Sequence, residues 1–488
     1  MRHRQPEHFT ITKLARRYDR QTGTFTINIT YQTAPPKPTK RVTAIAESFG
    51  LGLDKTQKFT IYNNLQLQIK PSDIVYITGD SGSGKSILLK ALEKDIKQNT
   101  QTTVINIEDI TPDTNKPLIE TTGKTLQQAL ELLSKTGLND AFLFLRTYNQ
   151  LSDGQKYRYK IAKMIENQAQ HWIMDEFAAT LDRDTAKIVA YNLQKLARQQ
   201  HKTVLAATTH TDLLQDLNPS VHIHKRYGKE ITIRYYPNEQ AAECSLIKEM
   251  RIEEGTTEDW RRLADFHYRN HRITSPRKIF TLKRGEELCG VIVYSYPPPA
   301  CFGRKQVLPR MTMKELNEHL STISRVVVHP KYRTISLGAK LVKDTLPLAG
   351  TRYVEMIAVM AKYNPFAEKA GMRRIAESTP SRHASNSIAR LRSLGFNTTL
   401  LSSHSVNMQT LRRMADKEIE GVKTIMIDLC KHERAYGRRL LKTKNVFCEP
   451  QEAEEAISKA SLRKLAEMLR VLSILVQPKV YLFWEKPV

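Results

Sequence analysis

The sequence GDSGSGKS at residues 79–86 constrains the fold of this chain more than any other stretch. It follows the apolar run DIVYIT, which predicts a buried strand, and it precedes SILLKALEKDI, which predicts a helix. Glycines at this spacing let a loop curl so that its backbone N–H groups face phosphate oxygens, and the helix adds its positive end. The stretch therefore predicts an α/β domain with a nucleotide site.

The residues of this loop and of one later strand have expected roles in binding a nucleoside triphosphate. Lys85 should reach the β- and γ-phosphates, and the Ser86 hydroxyl should be a ligand of Mg²⁺. The apolar strand WIMDE ends in Asp175, which suits Mg²⁺ binding, and Glu176, which suits polarising the attacking water. The other cofactor-binding residues predicted in the loop are Gly79, Ser81, Gly82 and Gly84.

Three further motifs complete an ordered set. They are LSDGQ at residues 151–155, ATLD at 179–182, and LAATTH, which ends at His210. Together with the phosphate loop, they resemble the motifs of the ATP-binding cassette (ABC) ATPases. The resemblance implies a head-to-tail dimer with two ATP molecules and Mg²⁺ at its interface.

The same resemblance implies roles for individual residues. Ser152, Gly154 and Gln155 match the signature, which closes over ATP held by the other subunit. Asp182 belongs to the D-loop, and His210 corresponds to the switch histidine that contacts the γ-phosphate. Asp153 replaces the usual glycine, and we expect its carboxylate to point away from the nucleotide.

Two departures from the transporter pattern favour a soluble ABC protein. The segment 87–151 is short, so we expect the helical subdomain that grips membrane subunits to be reduced. No glutamine lies between Gln101 and Gln127, so the Q-loop has no clear position and Glu120 is only a weak substitute. A transporter ATPase subunit is the less favoured alternative. It would need a separate membrane protein, because the sequence has no run of about 18 apolar residues.

The chain carries a large positive charge, with 76 lysine and arginine residues against 50 aspartate and glutamate residues and a net charge of +26. Such an excess favours a polyanionic partner, because basic side chains neutralise phosphates and release counterions. We therefore predict binding to DNA or RNA and no membrane partner. The five cysteines are scattered and form no CxxC pair, which predicts a reducing cytoplasmic setting.

A second constellation lies in the stretch ISRVVVHPKYRTISLGAKLV at residues 323–342, which predicts a strand, a turn and a helix. It resembles motif A of GNAT acetyltransferases, and Arg333, Ser336 and Gly338 fill the slots of the turn, with serine in place of the first glycine. The resemblance implies that the turn and the helix N-terminus hold the pyrophosphate of acetyl-coenzyme A. The cofactor-binding residues that it implies are Val327, Val328, Arg333, Ser336, Gly338 and Ala339, of which the two valines pair with the pantetheine arm.

The catalytic groups of this second site are harder to assign. The segment YNPFAEKAGM resembles the closing part of the GNAT pattern, but Ala367 takes the position of the usual tyrosine acid. We predict that Tyr363 serves as the acid instead, with Tyr332 as the alternative. Transfer also needs a neutral amine and therefore a base. The sequence leaves three candidates for that base open, namely Glu253, Glu254 and His329.

Taken whole, the chain resembles soluble proteins in which an ABC ATPase is fused to a predicted GNAT acetyltransferase. The resemblance implies an α/β fold, in which a P-loop ATPase domain precedes a GNAT-like α+β domain and a mainly helical C-terminal region. The expected function is ATP hydrolysis together with transfer of an acyl group, expected to be acetyl, to a nucleic acid. The alternatives are an ATP-driven nucleic-acid clamp with a non-catalytic second domain, and Mom-like modification of DNA bases. The predicted boundaries are 1–40 for an N-terminal β-rich extension and linker, 41–240 for the ATPase domain, 241–400 for the GNAT-like domain and 401–488 for the helical region.

Overall fold

The computed structural model describes residues 9–19, 22–33, 37–52, 58–99, 101–267, 273–359, 364–441 and 449–487. The chain forms two compact units. Unit 1 consists of Met1–His271, Phe280–Val291 and Val327–Gly338, and unit 2 consists of Arg272–Ile279, Ile292–Val326 and Ala339–Val488. The division follows proximity in space, so each unit gathers segments that are distant along the sequence.

Unit 1 begins with a three-stranded antiparallel sheet. Its strands are β1 (Phe9–Asp19), β2 (Thr24–Thr33) and β3 (Lys58–Gln68), in that order, and helix α1 (Lys40–Ser48) lies between β2 and β3 in sequence. Alternate residues of β2, namely Phe25, Ile27 and Ile29, are buried on one face. They share a core with Leu88 and Leu92 of the helix that follows the phosphate loop. The predicted N-terminal extension therefore packs on the ATPase core and pairs with one of its strands.

The central sheet of unit 1 has six strands in the order β5-β6-β7-β4-β8-β9. Strands β5, β6, β7, β4 and β8 are parallel to their neighbours, and β9 is antiparallel to β8. Strands β4 and β7 are buried along their whole length, as expected of apolar strands covered on both faces. The bounds are β4 (Ile74–Gly79), β5 (Val104–Asn106), β6 (His171–Met174), β7 (Thr203–Ala207), β8 (Val221–Lys225) and β9 (Ile231–Tyr235).

The helices that accompany this sheet are α2 (Lys85–Asn99), α3 (Leu118–Thr121), α4 (Leu126–Lys135), α5 (Ala141–Phe144), α6 (Asp153–Glu166), α7 (Arg183–Gln199) and α8 (Leu214–Leu217). Helix α2 covers one face of the sheet, and α6, α7 and α8 cover the other. In β4, Ile74 and Tyr76 lie in the core formed with α6 and α7, whereas Val75 and Ile77 lie in the core formed with α2 and the three-stranded sheet. The phosphate loop therefore follows directly on a strand, β4, that is packed on both faces. Helices α3 to α5 are short, and the helical subdomain that they form with α6 has its own small core.

A second sheet has seven strands in the order β10-β11-β12-β13-β14-β16-β15. Strands β10 and β11 are antiparallel, β13 and β14 are parallel, and β16 is antiparallel to both β14 and β15. The bounds are β10 (Met250–Glu254), β11 (Pro276–Arg284), β12 (Glu287–Ser295), β13 (Leu320–Val328), β14 (Tyr353–Ala358), β15 (Arg373–Ser378) and β16 (Lys479–Glu485). The last strand of the chain thus lies inside this sheet, although the boundary predicted at residue 400 separates it from the other strands.

The remaining helices are α9 (Thr257–Ala264), α10 (Met313–His319), α11 (Leu337–Thr345), α12 (Phe366–Lys369), α13 (Arg382–Ser393), α14 (His404–Arg413), α15 (Asp416–His432), α16 (Arg434–Leu441), α17 (Pro450–Ser458) and α18 (Leu462–Leu475). Helices α13 to α18 share one core, which includes Leu391, Leu411, Leu429 and Leu469. The helical region therefore begins before residue 401 and is inserted between β15 and β16. In the described part of the chain, no helix combines the length and the apolar character needed to cross a membrane.

Candidate functional site

Glycines hold the phosphate loop between β4 and α2 in a conformation that other residues avoid. Gly79, Gly82 and Gly84 have φ angles of +143°, +74° and +102°. A Cβ on Gly79 would lie 1.8 Å from the carbonyl oxygen of Lys225, and a Cβ on Gly84 would lie 2.7 Å from Cγ2 of Ile61. Neighbouring atoms therefore exclude side chains at two of these positions. A loop built in this way can present its backbone N–H groups to phosphate oxygens.

Lys85 is the first residue of α2, and its side chain is held over the loop. Its Nζ donates to the carbonyl oxygens of Gly79 at 2.9 Å and Asp80 at 2.6 Å. Burial lowers the pKa of Lys85, while the carboxylates of Asp175 and Asp80 oppose that shift. Ser81 is exposed at the tip of the loop. These positions fit the roles predicted for Lys85 and Ser81 on a bound triphosphate.

The two predicted Mg²⁺ ligands lie together. The Ser86 hydroxyl donates to Oδ1 of Asp175 at 3.0 Å. Asp175 follows β6 directly, and Ser86 is in the first turn of α2. A magnesium ion in a nucleotide site takes one or two protein oxygens and completes its octahedron with phosphate oxygens and water. The pair therefore fits Mg²⁺ bound with ATP.

Glu176 follows Asp175 and is exposed at the carboxyl end of the sheet. Its backbone N–H donates to Oδ1 of Asp175 at 3.0 Å. Its φ angle is +50°, a left-handed conformation that costs a glutamate about 1–3 kcal/mol and that is found most often at functional sites. The strained backbone sets the direction in which the side chain of Glu176, the predicted catalytic residue, starts from the backbone next to Asp175.

His210 lies after β7 at the same end of the sheet. The backbone N–H of His210 donates to Oγ1 of Thr208 at 3.3 Å, and its backbone carbonyl oxygen accepts a hydrogen bond from the hydroxyl of Tyr76. Burial and the nearby Arg183 lower the pKa of His210, and Asp212 opposes them. The imidazole is therefore neutral at physiological pH, and it can donate one N–H or accept one proton at a phosphate.

Two residues of this site were missed by sequence reasoning. The hydroxyl of Ser83, inside the phosphate loop, is buried and has no hydrogen-bond partner among the described residues. Strand β5 ends at Asn106, which pairs with Ile173 of β6 in parallel register. Glu108 follows Asn106 by two residues, and Asp175 follows Ile173 by two residues. Glu108 is exposed in the short 3-10 helix that follows β5, and we predict that it, and not Glu120, faces the nucleotide. The motif spacing gave no signal for Glu108, because no glutamine marks that position.

The signature residues form the N-terminus of α6. Ser152 caps the helix, since its Oγ accepts the N–H of Gln155 at 3.4 Å while Oε1 of Gln155 accepts the N–H of Ser152 at 3.0 Å. The side chain of Asp153 is 92% exposed at the first helical position, where the helix dipole favours a carboxylate. The open N-terminus of a 14-residue helix is a suitable site for an anion.

The D-loop packs against the signature helix. A Cβ on Gly154 would lie 3.2 Å from Cδ2 of Leu181 and 3.5 Å from the carbonyl oxygen of Thr180, so the glycine keeps the two segments close. The hydroxyl of Tyr157 accepts the N–H of Ala178 at 3.0 Å. The carboxylate of Asp182, predicted to bind cofactor, caps α7 by accepting the N–H of Thr185 at 3.1 Å.

Comparison with known proteins bears directly on this nucleotide site. Residues 62–123, which contain the phosphate loop, match the family model described as ABC transporter. The chain is 30% identical over 218 residues to the lipoprotein-releasing system ATP-binding protein LolD of Ehrlichia ruminantium (strain Gardel), and the match covers 38% of this chain and 93% of LolD. The chain belongs to the ATP-binding cassette (ABC) family.

The ABC assignment rests on the nucleotide-binding part of the chain. The leukotoxin translocation ATP-binding protein LktB of Mannheimia glucosida is 28% identical over 178 residues, which are 30% of this chain and 25% of LktB. A solved dimeric ATP-binding cassette in a post-hydrolysis state, bound to ADP and Pi, matches 37% of this chain and 92% of its own, with 20% identity and a TM-score of 0.31. ABC ATPases bind ATP with Mg²⁺ and hydrolyse it, so the ATPase activity predicted from the motifs is confirmed at the level of the family.

Outside the ABC part, the turn predicted to hold a pyrophosphate connects β13 to α11. Thr334 and Ser336 have φ angles of +77° and +65°, Ser336 is exposed, and α11 starts at the next residue. Left-handed residues in a turn can direct backbone N–H groups to one side and form a concave anion site. The first N–H groups of α11 have no partner within the helix. The backbone of this turn therefore fits a pyrophosphate.

The side chain of Arg333 is used differently from the prediction. Its guanidinium donates to three backbone carbonyl oxygens, those of Val328 at 3.0 Å, Asn139 at 3.0 Å and Phe266 at 3.2 Å. These contacts fix the turn within unit 1 and leave the guanidinium directed at carbonyls. Of the other residues predicted to bind coenzyme A, Val327 is buried, and Val328, Gly338 and Ala339 are partly exposed.

The candidate acids of the second site are in unfavourable positions or outside the described residues. Tyr363 lies outside the described residues. Ala367 is 1% exposed in α12, so this position offers no proton donor. Tyr332 is buried, and its hydroxyl donates to the carboxylates of Glu287 and Asp184.

Among the candidate bases, His329 has the most suitable surroundings. Its Nδ1 accepts the N–H of Lys331 at 3.3 Å, and its ring lies 4.9 Å from that of Phe266, centroid to centroid. Burial lowers the pKa of His329, which favours the neutral imidazole, and Nδ1 can accept a proton only in place of its hydrogen bond with the N–H of Lys331. Glu253 instead forms an ion pair with Lys283 at 3.1 Å, and Glu254 is exposed.

Proposed function

We propose that this ABC ATPase acts on a nucleic acid and that its second sheet carries a GNAT-like domain, which transfers an acyl group from coenzyme A to that acceptor. The acyl group is expected to be acetyl. The net charge of +26 supports the nucleic-acid part of the proposal. The strand, turn and helix formed by β13, residues 329–336 and α11 support the transferase part.

The observation that carries the transferase proposal is the turn before α11. Its two left-handed residues, Thr334 and Ser336, and the positive end of a nine-residue helix are combined within a few residues. A diphosphate is the group that such a backbone suits best, because both features favour anions. The Ser336 hydroxyl is exposed and can donate to a phosphate oxygen, so the missing glycine need not weaken binding.

A second feature supports an extended ligand beside β13. Strands β13 and β14 pair in parallel only over Leu320–Ile323 and Tyr353–Met356. Strand β13 continues beyond that point, to Val328. The pantetheine arm of coenzyme A carries amides, and an extended amide chain can pair with a strand as a peptide does. The expected pairing partners on β13 are Val327 and Val328.

The proposed chemistry needs one proton acceptor from the chain. Acyl-coenzyme A supplies the acyl group as a thioester. We propose that Nδ1 of His329 gives up the hydrogen bond from the N–H of Lys331 and takes a proton from the acceptor amine, while the amine nitrogen bonds to the acyl carbon and the C–S bond breaks. Neutral imidazole is required for this role, and burial favours that form. The thiolate takes its proton from solvent or from Tyr363.

The proposed ABC dimer is head to tail. We expect Ser152 and the N-terminus of α6 to form one anion site and the phosphate loop to form another, because each has backbone N–H groups at the start of a helix. If these two sites hold one ATP between them, the partners must come from different subunits, as the resemblance to the ABC signature implies. ATP binding would then close the dimer on the nucleic acid.

A non-catalytic clamp is the second candidate function. It is favoured by the buried Ala367 and by the commitment of the Tyr332 hydroxyl to Glu287 and Asp184. In that case ATP closes the dimer on the nucleic acid, and the second sheet only binds a ligand. The two candidates differ in whether a covalent product forms.

The test uses the full-length protein with ATP, Mg²⁺ and acetyl-coenzyme A labelled in the acetyl group, together with DNA or tRNA. We expect label in the nucleic acid, and loss of that label in Gly338→Leu, which should block close approach to the turn. ATP hydrolysis should be unchanged in this variant. Binding of acetyl-coenzyme A measured by calorimetry without transfer would favour the clamp. No binding of any acyl-coenzyme A would contradict the transferase proposal.

His329→Gln tests the base separately. General-base loss typically slows transfer 10²- to 10⁴-fold, and binding of acetyl-coenzyme A should persist. Because the base form is present above a pKa that is below 6.5, wild-type transfer should be constant above about pH 6.5 and fall at lower pH. Unchanged transfer in His329→Gln would exclude this residue as the base.

A further inference from the structure

A basic groove lies between α14 and α18 in unit 2. It has a volume of about 690 Å³ and is open to solvent. One face of α14 supplies most of its wall, and the first turn of α18 supplies the other side. The polar residues that line it are His404, Ser405, Gln409, Arg412, Arg413 and Arg463.

The opposite face of α14 is fixed in the helical core. Asn407 is 1% exposed, and its Nδ2 donates to the carbonyl oxygens of Leu401 at 2.8 Å and Ala466 at 3.4 Å. Leu411 packs in the same core as Leu469 of α18. The groove is therefore formed by two helices that are locked together, so its residues have a defined spacing.

The charge in the groove is uncompensated. Arg412, Arg413 and Arg463 are exposed, and none of them takes part in an ion pair within the described part of the chain. The sequence contains no aspartate or glutamate between Glu377 and Asp416. In α18, Glu467 is engaged by Arg470 through two hydrogen bonds of 3.0 and 2.8 Å. Clustered like charges repel each other, and an anion in the groove would relieve that repulsion.

Two helix N-termini add to this positive field. Ser403 caps α14 by accepting the N–H of Val406 at 3.4 Å, and Ser461 caps α18 by accepting the N–H of Lys464 at 3.3 Å. First-turn residues of both helices line the groove. His404 and Ser405 lie at the positive end of α14 and Arg463 at the positive end of α18, where the helix dipoles favour phosphate, whereas Arg412 and Arg413 lie in the last turn of α14 and contribute through their own charge.

We propose that this groove binds the phosphodiester backbone of the nucleic acid. The proposal rests on the nucleic-acid part of the proposed function and names the site that makes the contact. A ten-residue helix such as α14 spans about 15 Å. One strand of a duplex carries a phosphate about every 3.4 Å along the axis, so the groove faces about four phosphates. Guanidinium groups can bind phosphate oxygens in a bidentate manner, and Ser405 and Gln409 can donate further hydrogen bonds.

The experiment compares two full-length variants with the same loss of charge. The groove variant carries Arg412→Gln, Arg413→Gln and Arg463→Gln. The control variant carries Arg382→Gln, Lys417→Gln and Lys459→Gln, which are exposed positions of the same helical region outside the groove. Binding to a labelled DNA duplex and to a folded RNA hairpin is measured by fluorescence anisotropy over a series of salt concentrations.

We expect the groove variant to bind duplex DNA about tenfold or more weakly at low salt. The slope of log K against log salt should fall by about 3, since each phosphate contact contributes about 0.9. The control variant should keep the wild-type slope within about 1, and ATP hydrolysis without nucleic acid should be unchanged in both. Arg463→Gln alone should lower the slope by about 1, which keeps the proposal testable if the triple variant does not fold.

The outcomes separate this inference from the proposed function. If the wild type binds nucleic acid and the two triple variants have the same slope of log K against log salt, the groove is not the binding site, and the nucleic-acid function still stands. A wild type that binds neither DNA nor RNA overturns both. Heparin is measured as a second polyanion. If the wild type binds heparin as well as nucleic acid and the groove variant loses both to the same extent, the groove is a general polyanion site, which contradicts the assignment to nucleic acid.

Discussion

Asp184 accepts a hydrogen bond from the ammonium group of Lys331 at 2.6 Å. Asp184 lies two residues after Asp182 of the D-loop, and Lys331 lies in the connection 329–336, three residues before the left-handed Thr334 of the turn proposed to bind pyrophosphate. Asp184 also accepts a hydrogen bond from Arg284 at 2.8 Å. Burial alone would raise the pKa of Asp184, but the two cations bring it below its ordinary value. A charged cluster within unit 1 thus connects the nucleotide-site helix α7 to that turn.

Replacing Asp184 by asparagine should destabilise the protein by about 1–3 kcal/mol, because Arg284 and Lys331 would lose a shared anion that is only 17% exposed. The exposed Asp344→Asn, which breaks a surface pair with Lys340, is the control and should cost less than about 0.5 kcal/mol. Urea unfolding at pH 7 measures both. Equal losses in the two variants would show that the Asp184 cluster contributes nothing special.

The same variant has a defined pH dependence. Since the pKa of folded Asp184 lies below the ordinary value of 3.8, its contribution to stability is present above pH 3.8 and is lost as the pH falls through the lower value. The difference in unfolding free energy between wild type and Asp184→Asn should therefore close in acid. A difference that stays constant to the lowest pH at which both proteins fold would argue against an ionic role.

Glu176→Gln should slow ATP hydrolysis about 10²- to 10⁴-fold and leave ATP binding intact. The carboxylate is fixed next to Asp175 by a left-handed backbone, and glutamine keeps the shape without the basic oxygen. Phosphate release measures hydrolysis, and light scattering measures the ATP-dependent dimer, which should accumulate. Normal turnover by this variant would remove Glu176 from the catalytic role.

Glu108 and Glu120 compete for the role of the missing Q-loop residue. Because Glu108 follows β5, which pairs with the strand that precedes Asp175, we expect Glu108→Ala to lower ATP hydrolysis by about tenfold or more, through weaker positioning of Mg²⁺ and water. Glu120→Ala is the matched control, since this exposed side chain belongs to the short helix α3. A larger effect of Glu120→Ala would restore the assignment made from the sequence.

Contacts between residues close together in this sequence could be predicted from it directly, and contacts between distant residues could not. Ser86 and Lys85 were predictable because loop, strand and helix are adjacent, so their geometry is local. The proximity of Ser86 to Asp175 was predictable only through a known ordered motif set. The contact of Arg333 with the carbonyl of Asn139 spans 194 positions, and no local pattern encodes it. The position of β16 between β14 and β15 is likewise set by long-range pairing.

Mixing two inactive variants tests the head-to-tail dimer. Ser152→Arg places a cation and a bulky side chain at the N-terminus of α6, and Lys85→Ala removes the phosphate-loop cation. A mixture should regain up to about half of the wild-type rate per heterodimer, because one site would have an intact signature and an intact loop. Each variant alone is the control. No recovery at any mixing ratio would contradict sites that are shared between subunits.

His222 gives the six-stranded sheet a predicted sensitivity to acid. The ring hydrogen-bonds Oγ1 of Thr78 through Nε2 at 2.9 Å and stacks on Tyr76 at 5.6 Å. Burial, with smaller effects of His224 and Arg234, lowers the pKa of His222 to about 4 from the ordinary 6.5. The unfolded chain therefore binds this proton more readily than the folded chain between pH 6.5 and 4. Stability should fall as the pH is lowered through this window.

The size of this effect can be bounded and measured. The full shift corresponds to about 3 kcal/mol, and partial exposure of the ring reduces the expected loss to about 1–2 kcal/mol. Urea unfolding at pH 7.5 and 4.5 should show that loss in wild type and a smaller one in His222→Gln, which cannot take up the proton. His201→Asn is the control, because His201 is exposed and asparagine tolerates its φ of +53°. If wild type and His222→Gln lose stability in parallel, the acid sensitivity originates elsewhere in the chain.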